Sequence, residues 1–217
     1  MTRNVLIAGA GPGVSGSLAR LYAAEGCGVG LLGAEDEVLA TLGAEVEAAG
    51  GTAGTAVVDL TDDAATRAAV TRMGEHVGQF DVIHFNPSAY REKDPLTLTP
   101  DELLEDVRLG VGALLTFVQA ARPFLASGAR ISVTGSMAAD SPWFGAASLG
   151  VQKAGVQNLV RSIDATLKDD GIRAVSVTVR GMLGKEGAFT PDNVALALRA
   201  AVDQDESAWQ AEIPYAG

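Results

Sequence analysis

The sequence is poor in the residues that build disulfides and metal centres. Cys27 is its only cysteine, so no intrachain disulfide forms, and this usage is expected of a reducing compartment, the cytoplasm by default. Two histidines beside that one thiol are too few for a closed transition-metal site. Long apolar runs are missing as well. The stretches 5–10 and 175–179 are among the longest, far below the roughly 20 residues that a membrane span needs. Met1-Thr2-Arg3-Asn4 passes straight into an apolar stretch, which is read as leaving no room for a secretion signal. Positive charge is scarce: 16 Lys and Arg face 27 Asp and Glu, a net charge of −11. A negative surface repels nucleic acid and anionic membrane, so both are disfavoured as partners. The same number also describes a solubilising charge spread over helix surfaces, and it says little about a substrate.

What is present is an ordinary globular composition. With 217 residues, 47% hydrophobic and 20% charged, the chain suits one domain over 1–217 with a sizeable core. Disorder is excluded. Aliphatic runs at 5–9, 29–32, 56–60, 81–86, 130–134, 173–179 and 211–215 read as strands. Helical spacing fills the intervals 15–25, 35–49, 62–77, 101–125 (broken near Gly110 or Gly112), 146–169 and 191–202. The strand runs are apolar on both faces, as strands covered by helices on each side require. Alternating strands and helices predict a doubly wound parallel α/β sheet of the Rossmann type.

The first turn carries the chemistry. Directly after the first strand stands Gly9-Ala10-Gly11-Pro12-Gly13-Val14-Ser15-Gly16, and a helix follows. Glycines let the backbone approach a diphosphate, whose charge is met by free N–H groups at the helix N-terminus. Three further stretches follow in order: Asp59-Leu60 after the third strand, Asn86-Pro87-Ser88-Ala89 after the fourth, and Ser136, Leu149 and Lys153 at intervals of thirteen and four. Gly9 and Gly13, four apart, resemble the G-x-x-x-G-x-G turn of the short-chain dehydrogenase/reductase family, with Ser15 at the third glycine. The later stretches are similar to the family's adenine-binding pair, its N-A-G turn and its Ser–Tyr–Lys triad, so the resemblance covers almost the whole chain.

What the resemblance implies is an oxidoreductase that takes a nicotinamide dinucleotide and a small carbonyl or alcohol. Gly9, Gly11, Pro12, Gly13, Val14, Asp59, Leu60, Asn86, Pro87, Lys153 and Gly181 are then the cofactor-binding residues. Ser136 would orient the substrate carbonyl, and Lys153 would hold the nicotinamide ribose. The departures are specific. Leu149 occupies the place of the family's proton-donating tyrosine, and Gly110 that of an asparagine which supports a water leading to the lysine. A positioned general acid contributes about 10²–10⁴ in rate, so its loss costs roughly 3–5 kcal/mol of barrier. Tyr90, on the loop after the fourth strand, is a candidate relocated acid; the plainer account is a rim aromatic. Asp140 and Ser141 lie on the neighbouring loop, where a turn or cap role is the plainer account for Asp140. Ser136 also fits a turn serine bonding local backbone, and His84 a hydrogen-bonded core histidine. Trp143 and Phe144 fit either a pocket wall or a subunit contact.

Around the end of the second strand, Gly33-Ala34-Glu35-Asp36 lacks the arginine that a 2′-phosphate calls for and sets two acids nearby. NADP is disfavoured. NAD is permitted, although the family's NAD-binding aspartate is Gly33 here, and a chain that binds no cofactor stays open. Only about ten residues separate Gly181 from the next helix, which implies an open, shallow site. Three readings share the fold: an NAD-dependent oxidoreductase with a substitute or missing proton donor, a redox-inactive nucleotide-binding sensor or scaffold, and a non-redox cyclisation or elimination enzyme. Small residues on the two long helices (Ala113, Ala120, Ala121, Ala154, Gly155) suit either a homodimer or homotetramer contact or packing against the sheet.

Overall fold

The computed structural model describes residues 2–217. Strand β1 (Asn4–Ala8) leads through the glycine turn into helix α1 (Val14–Ala24). Strand β2 (Gly28–Gly33), helix α2 (Asp36–Ala48), strand β3 (Thr52–Val57), helix α3 (Asp63–Val77) and strand β4 (Phe80–Phe85) complete the first half. Helix α4 (Pro100–Val107), a π-helical turn (Arg108–Gly112), helix α5 (Ala113–Ala121) and strand β5 (Leu125–Ser136) follow. Helix α6 (Ala147–Leu167), strand β6 (Arg173–Val179), helix α7 (Pro191–Ala201) and strand β7 (Glu212–Tyr215) end the chain. All seven strands pair in parallel in the order β3-β2-β1-β4-β5-β6-β7. This is the doubly wound α/β sheet expected from the sequence.

The apolar runs explain the layering. Successive strand side chains point to opposite faces, so Val5 and Ile7 enter one core while Leu6 and Ala8 enter the other. The first core holds Leu18 and Tyr22 of α1, Leu39 of α2 and Leu198 of α7. The second holds Val70 of α3, Phe117 of α5 and Val160 of α6. Starts are fixed locally: Asp62 accepts from Ala65 N at 2.9 Å, and Thr99 with Glu102 forms a reciprocal capping box at α4.

Three elements differ from the sequence reading. The third strand is Thr52–Val57 rather than 56–60, because β2 offers six partners from Gly28 to Gly33. Asp59 then accepts from the Thr61 N–H at 2.8 Å, a local turn that ends the extended run. The fifth strand spans twelve residues, not five, because Leu125 already pairs with Phe80 across a register shift. The helix expected over 101–125 breaks at the π turn, as expected near Gly110 or Gly112, but stops early at Ala121, where Pro123 forces a short 3-10 turn.

Candidate active site

Every strand ends on the same rim, the edge where open α/β sheets receive ligands. Gly9 sits there at φ +77°, and a side chain on it would run into Pro87, 2.6 Å from Cγ. The glycine turn and the loop after β4 are therefore in contact. Gly11 and Gly13 instead border open space where a side chain would project. Ser15 is buried, and its hydroxyl turns back into the loop: it accepts from Gly11 N at 3.0 Å and donates to Gly9 O at 3.0 Å. The extra hydroxymethyl group thus braces the turn instead of intruding on a ligand. The turn's geometry fits a diphosphate, since the leading N–H groups of α1 have no intrahelical acceptor.

Two cavities flank the turn and between them gather the cofactor-binding candidates together with Ser136, Lys153 and Tyr90. One, of about 450 Å³, is lined by Gly9, Gly11, Pro12, Asp59, Leu60 and Pro87, with Ala34 and Glu35 of the β2 rim. The other, of about 360 Å³, is lined by Gly13, Val14, Asn86, Tyr90, Ser136, Lys153 and Gly181, with Leu149 beside them. In the first, Asp59 Oδ1 accepts from Thr61 N and Oγ1 at 2.8 and 2.7 Å. Those bonds, the Thr61 hydroxyl's first, hold its carboxyl below the usual range. Gly33 is sterically fixed: a Cβ there would lie 2.9 Å from Ala10 O, which bars an aspartate at the end of β2.

In the second cavity, α6 sets Leu149 and Lys153 one turn apart on a common face. Lys153 is 6% exposed. Its Nζ donates to Thr134 O at 3.0 Å, and among the described residues no carboxylate pairs with it. Burial pulls its pKa from 10.5 down to about 8. Ser136 Oγ accepts from Ala138 N at 3.2 Å, so the local turn role is realised, yet the hydroxyl proton stays available to a ligand oxygen. Beneath the lysine runs a polar chain through the sheet. Thr134 Oγ1 donates to Asn86 Oδ1 at 2.7 Å and lies 3.3 Å from His84 Nε2. His84 Nδ1 lies 2.8 Å from Ser132 Oγ. Burial, then the nearby Lys153 charge, drives the His84 pKa to about 3, so the imidazole is neutral and supplies no countercharge.

Tyr90 lines the same cavity but is 60% exposed. Its hydroxyl donates to Glu92 Oε1 at 3.4 Å. Desolvation and then the Glu92 charge raise its pKa, the direction that weakens a proton donor. Asp140 lines neither cavity and pairs with Arg180 at 3.0 Å. Trp143 and Phe144 line a separate apolar groove of about 510 Å³ with Pro95, Leu98 and Val151, not the Ser136–Lys153 cavity. The sequence reading missed Thr134, Phe189 and Gln152. A side chain on Gly181 would strike the Phe189 ring at 2.4 Å, and Gln152 is fully buried beside Lys153.

A glycine-bearing turn, a two-chambered cleft at the carboxyl rim and a lysine buried in its wall define a nucleotide-binding α/β protein. Residues 3–185 match the family model described as short chain dehydrogenase, and the chain belongs to that family of oxidoreductases, which use nicotinamide cofactors. Oxidoreductase UcpA of Salmonella typhimurium is 26% identical over 181 residues, covering 81% of this chain and 67% of the relative. A metagenomic short-chain oxidoreductase solved in complex with NADP superposes with a TM-score of 0.88 at 24% identity, over 98% of this chain and 96% of that one. The NADH-dependent reductase A1-R′, responsible for alginate metabolism, gives 0.88 at 21% identity, over 98% and 95%. At these identities the two structures speak for the fold. Among the described residues, no helix is long and apolar enough to cross a membrane, and no cluster of three or more His, Cys, Asp or Glu could hold a metal ion.

Proposed function

We propose that this chain is an NADH-dependent carbonyl reductase in which Lys153 and water, rather than a phenol, hold the reaction's proton. The carrying observation is the cavity that joins Ser136 and an unpaired, buried Lys153 to an alkyl side chain at position 149. When bound, the nicotinamide supplies the reducing equivalent as a hydride. The chain's own residues do the rest. The α1 N-terminus and the Gly11–Gly13 backbone take the diphosphate, and Asp59 with Leu60 borders the adenine. Ser136 Oγ donates to the substrate oxygen and orients it. One N–H of Lys153 is taken by Thr134 O; the other two serve the ribose hydroxyls and hold the proton destined for the reduced oxygen. The coil after β6 walls the cavity with Gly181 and Leu183 while Met182 between them is 90% exposed, and water enters along this edge. Tyr90 walls the cavity.

NAD is favoured over NADP because Ala34 offers no donor and Glu35, which leaves the α2 N-terminus uncapped, would face a 2′-phosphate. Fluorescence titration tests this: NADH binds at least about tenfold tighter than NADPH, a gap of roughly 1.4 kcal/mol. Equal or tighter NADPH binding sinks the preference, and no response to either sinks the dinucleotide reading. Leu149 also favours a second reading, a nucleotide sensor without turnover; bound NADH that no carbonyl consumes would select it. The substrate class is a small neutral carbonyl, since Lys153 is the one cation lining that cavity. We further infer a homodimer through α5 and α6. Ala113, Ala120 and Ala121 are buried in the chain's own core, but Leu115 and Val151 stay exposed, and sedimentation as a monomer would exclude it.

A further inference from the structure

The loop that leaves β4 passes between the two cavities with few backbone ties. Asn86 N donates to Ala8 O at 3.0 Å, and Lys93 O accepts from Ala147 N at 3.0 Å. Between them, among the described residues, Ala89 alone has both backbone groups bonded outside the loop, and one side chain holds them. Gln152 Oε1 accepts from Ala89 N at 2.9 Å, and Nε2 donates to Ala89 O at 3.2 Å. The same Nε2 donates to Ser148 O at 3.3 Å. The carboxamide is spent on this contact, in a fully buried position one residue before Lys153.

The slot for that carboxamide exists because Gly110, within the π turn, carries no side chain. A Cβ at Gly110 would lie 2.4 Å from Gln152 Oε1 and 2.9 Å from its Cγ. Glycine at 110 and glutamine at 152 are therefore one device contributed by two helices. An apolar residue would fill the same space but leave both Ala89 groups without these partners, so the amide is explained by what it grips.

We propose that Gln152, seated on Gly110, is a positioning residue that locks the 86–90 loop to the lysine-bearing helix, so that Asn86 and Lys153 face the cofactor at a fixed spacing. The proposal rests on the dinucleotide reading above for its consequence but not for its geometry. The two bonds tie the loop to α6, and Lys153 follows Gln152 directly on that helix, so neither wall of the cavity moves without the other.

The test uses Gln152→Leu, which keeps volume and drops the amide, and the double variant Gly110→Asn/Gln152→Ala, which returns a carboxamide to the same slot from the opposite helix. Gln152→Met replaces Gln152→Leu should the latter fail to fold. Hydrogen exchange over 86–92 is read in the cofactor-free protein, beside the NADH dissociation constant. In Gln152→Leu, exchange accelerates and NADH affinity falls, each by about tenfold, the equivalent of one net hydrogen bond of about 1.4 kcal/mol. The double variant recovers both, which mere repacking would not. Unchanged exchange in Gln152→Leu overturns the brace. Faster exchange with unchanged NADH affinity overturns its service to the cofactor. Failure of the unaltered protein to bind NADH or NADPH overturns the dinucleotide reading and the positioning role with it, while the exchange result still decides whether the brace exists.

Discussion

Replacing Lys153 with methionine should make the protein more stable and less able to bind its cofactor. The lysine is buried, carries no ion pair among the described residues and has its pKa pulled from 10.5 to about 8. At about 1.36 kcal/mol per tenfold, keeping that ammonium charged costs the fold about 3 kcal/mol at pH 7. Methionine keeps an unbranched apolar stem and forfeits the bond to Thr134 O, worth about 1 kcal/mol. The net gain is about 2 kcal/mol, or roughly 4–8 °C in Tm for a chain of this size. The sign follows from linkage. Below pH 8 the lysine is charged in both states and the cost is full. Between about pH 8 and 10.5 the folded chain sheds the proton that the unfolded chain still holds, so the unaltered protein gains stability as pH rises. The Tm gap should therefore shrink to less than about half by pH 9.5. Calorimetry at pH 7 and 9.5 with a parallel NADH titration reads all three quantities. A methionine variant that melts no higher at pH 7, or a gap indifferent to pH, would refute the reasoning about the buried charge.

Two further outcomes are accessible. Leu149→Tyr places a phenol one turn from the Lys153 ammonium, and NADH-dependent reduction of simple aldehydes should rise by about 10²–10⁴; no rise with NADH affinity retained would mean that Ser136 and Lys153 are not poised for reduction. Gly43→Ala, in the interior of α2, meets only ordinary contacts at 3.5 Å with Thr55 Cγ2 and 3.7 Å with Ala53 Cβ. It should add about 0.5–1 kcal/mol of stability, and a urea midpoint that does not increase would show that the site is tighter than its geometry implies.

Much of this structure was readable in the chain before folding. Strands β1, β4 and β6 lie within a residue of their expected limits, because a strand buried on both faces is rich in apolar residues along its whole length. Strand β3 was misplaced because Val58 and Leu60 continue the apolar run beyond the last residue that β2 can pair. The glycine turn was legible because it is local to one strand–helix junction, and Ser136 and Lys153, on β5 and α6, because their spacing about position 149 resembles the family's triad. Gln152 was not. Its meaning lies in Gly110, on another helix, and in Ala89, on a loop, and nothing in a linear pattern marks a buried glutamine as a clamp instead of an exposed polar residue. His84 was read correctly as a bonded core residue, but its partners Ser132 and Thr134 come from a neighbouring strand that only the sheet register reveals.

The π turn at Arg108–Gly112 fixes how the helices on either side of it face, in a way that the sequence does not advertise. A ring closed by i→i+5 bonds stores one residue more than an α-helix uses. Were the same residues all wound as a regular α-helix, α4 and α5 would fuse into a straight rod with one half rotated against the other by about 100°. Asp106, clasped by Arg91 at 3.0 Å, and Phe117, packed near Phe85 in the core, could not both keep their neighbours. One wide turn thus sets the rim and the interior together, so that neither helix can be re-aimed without the other.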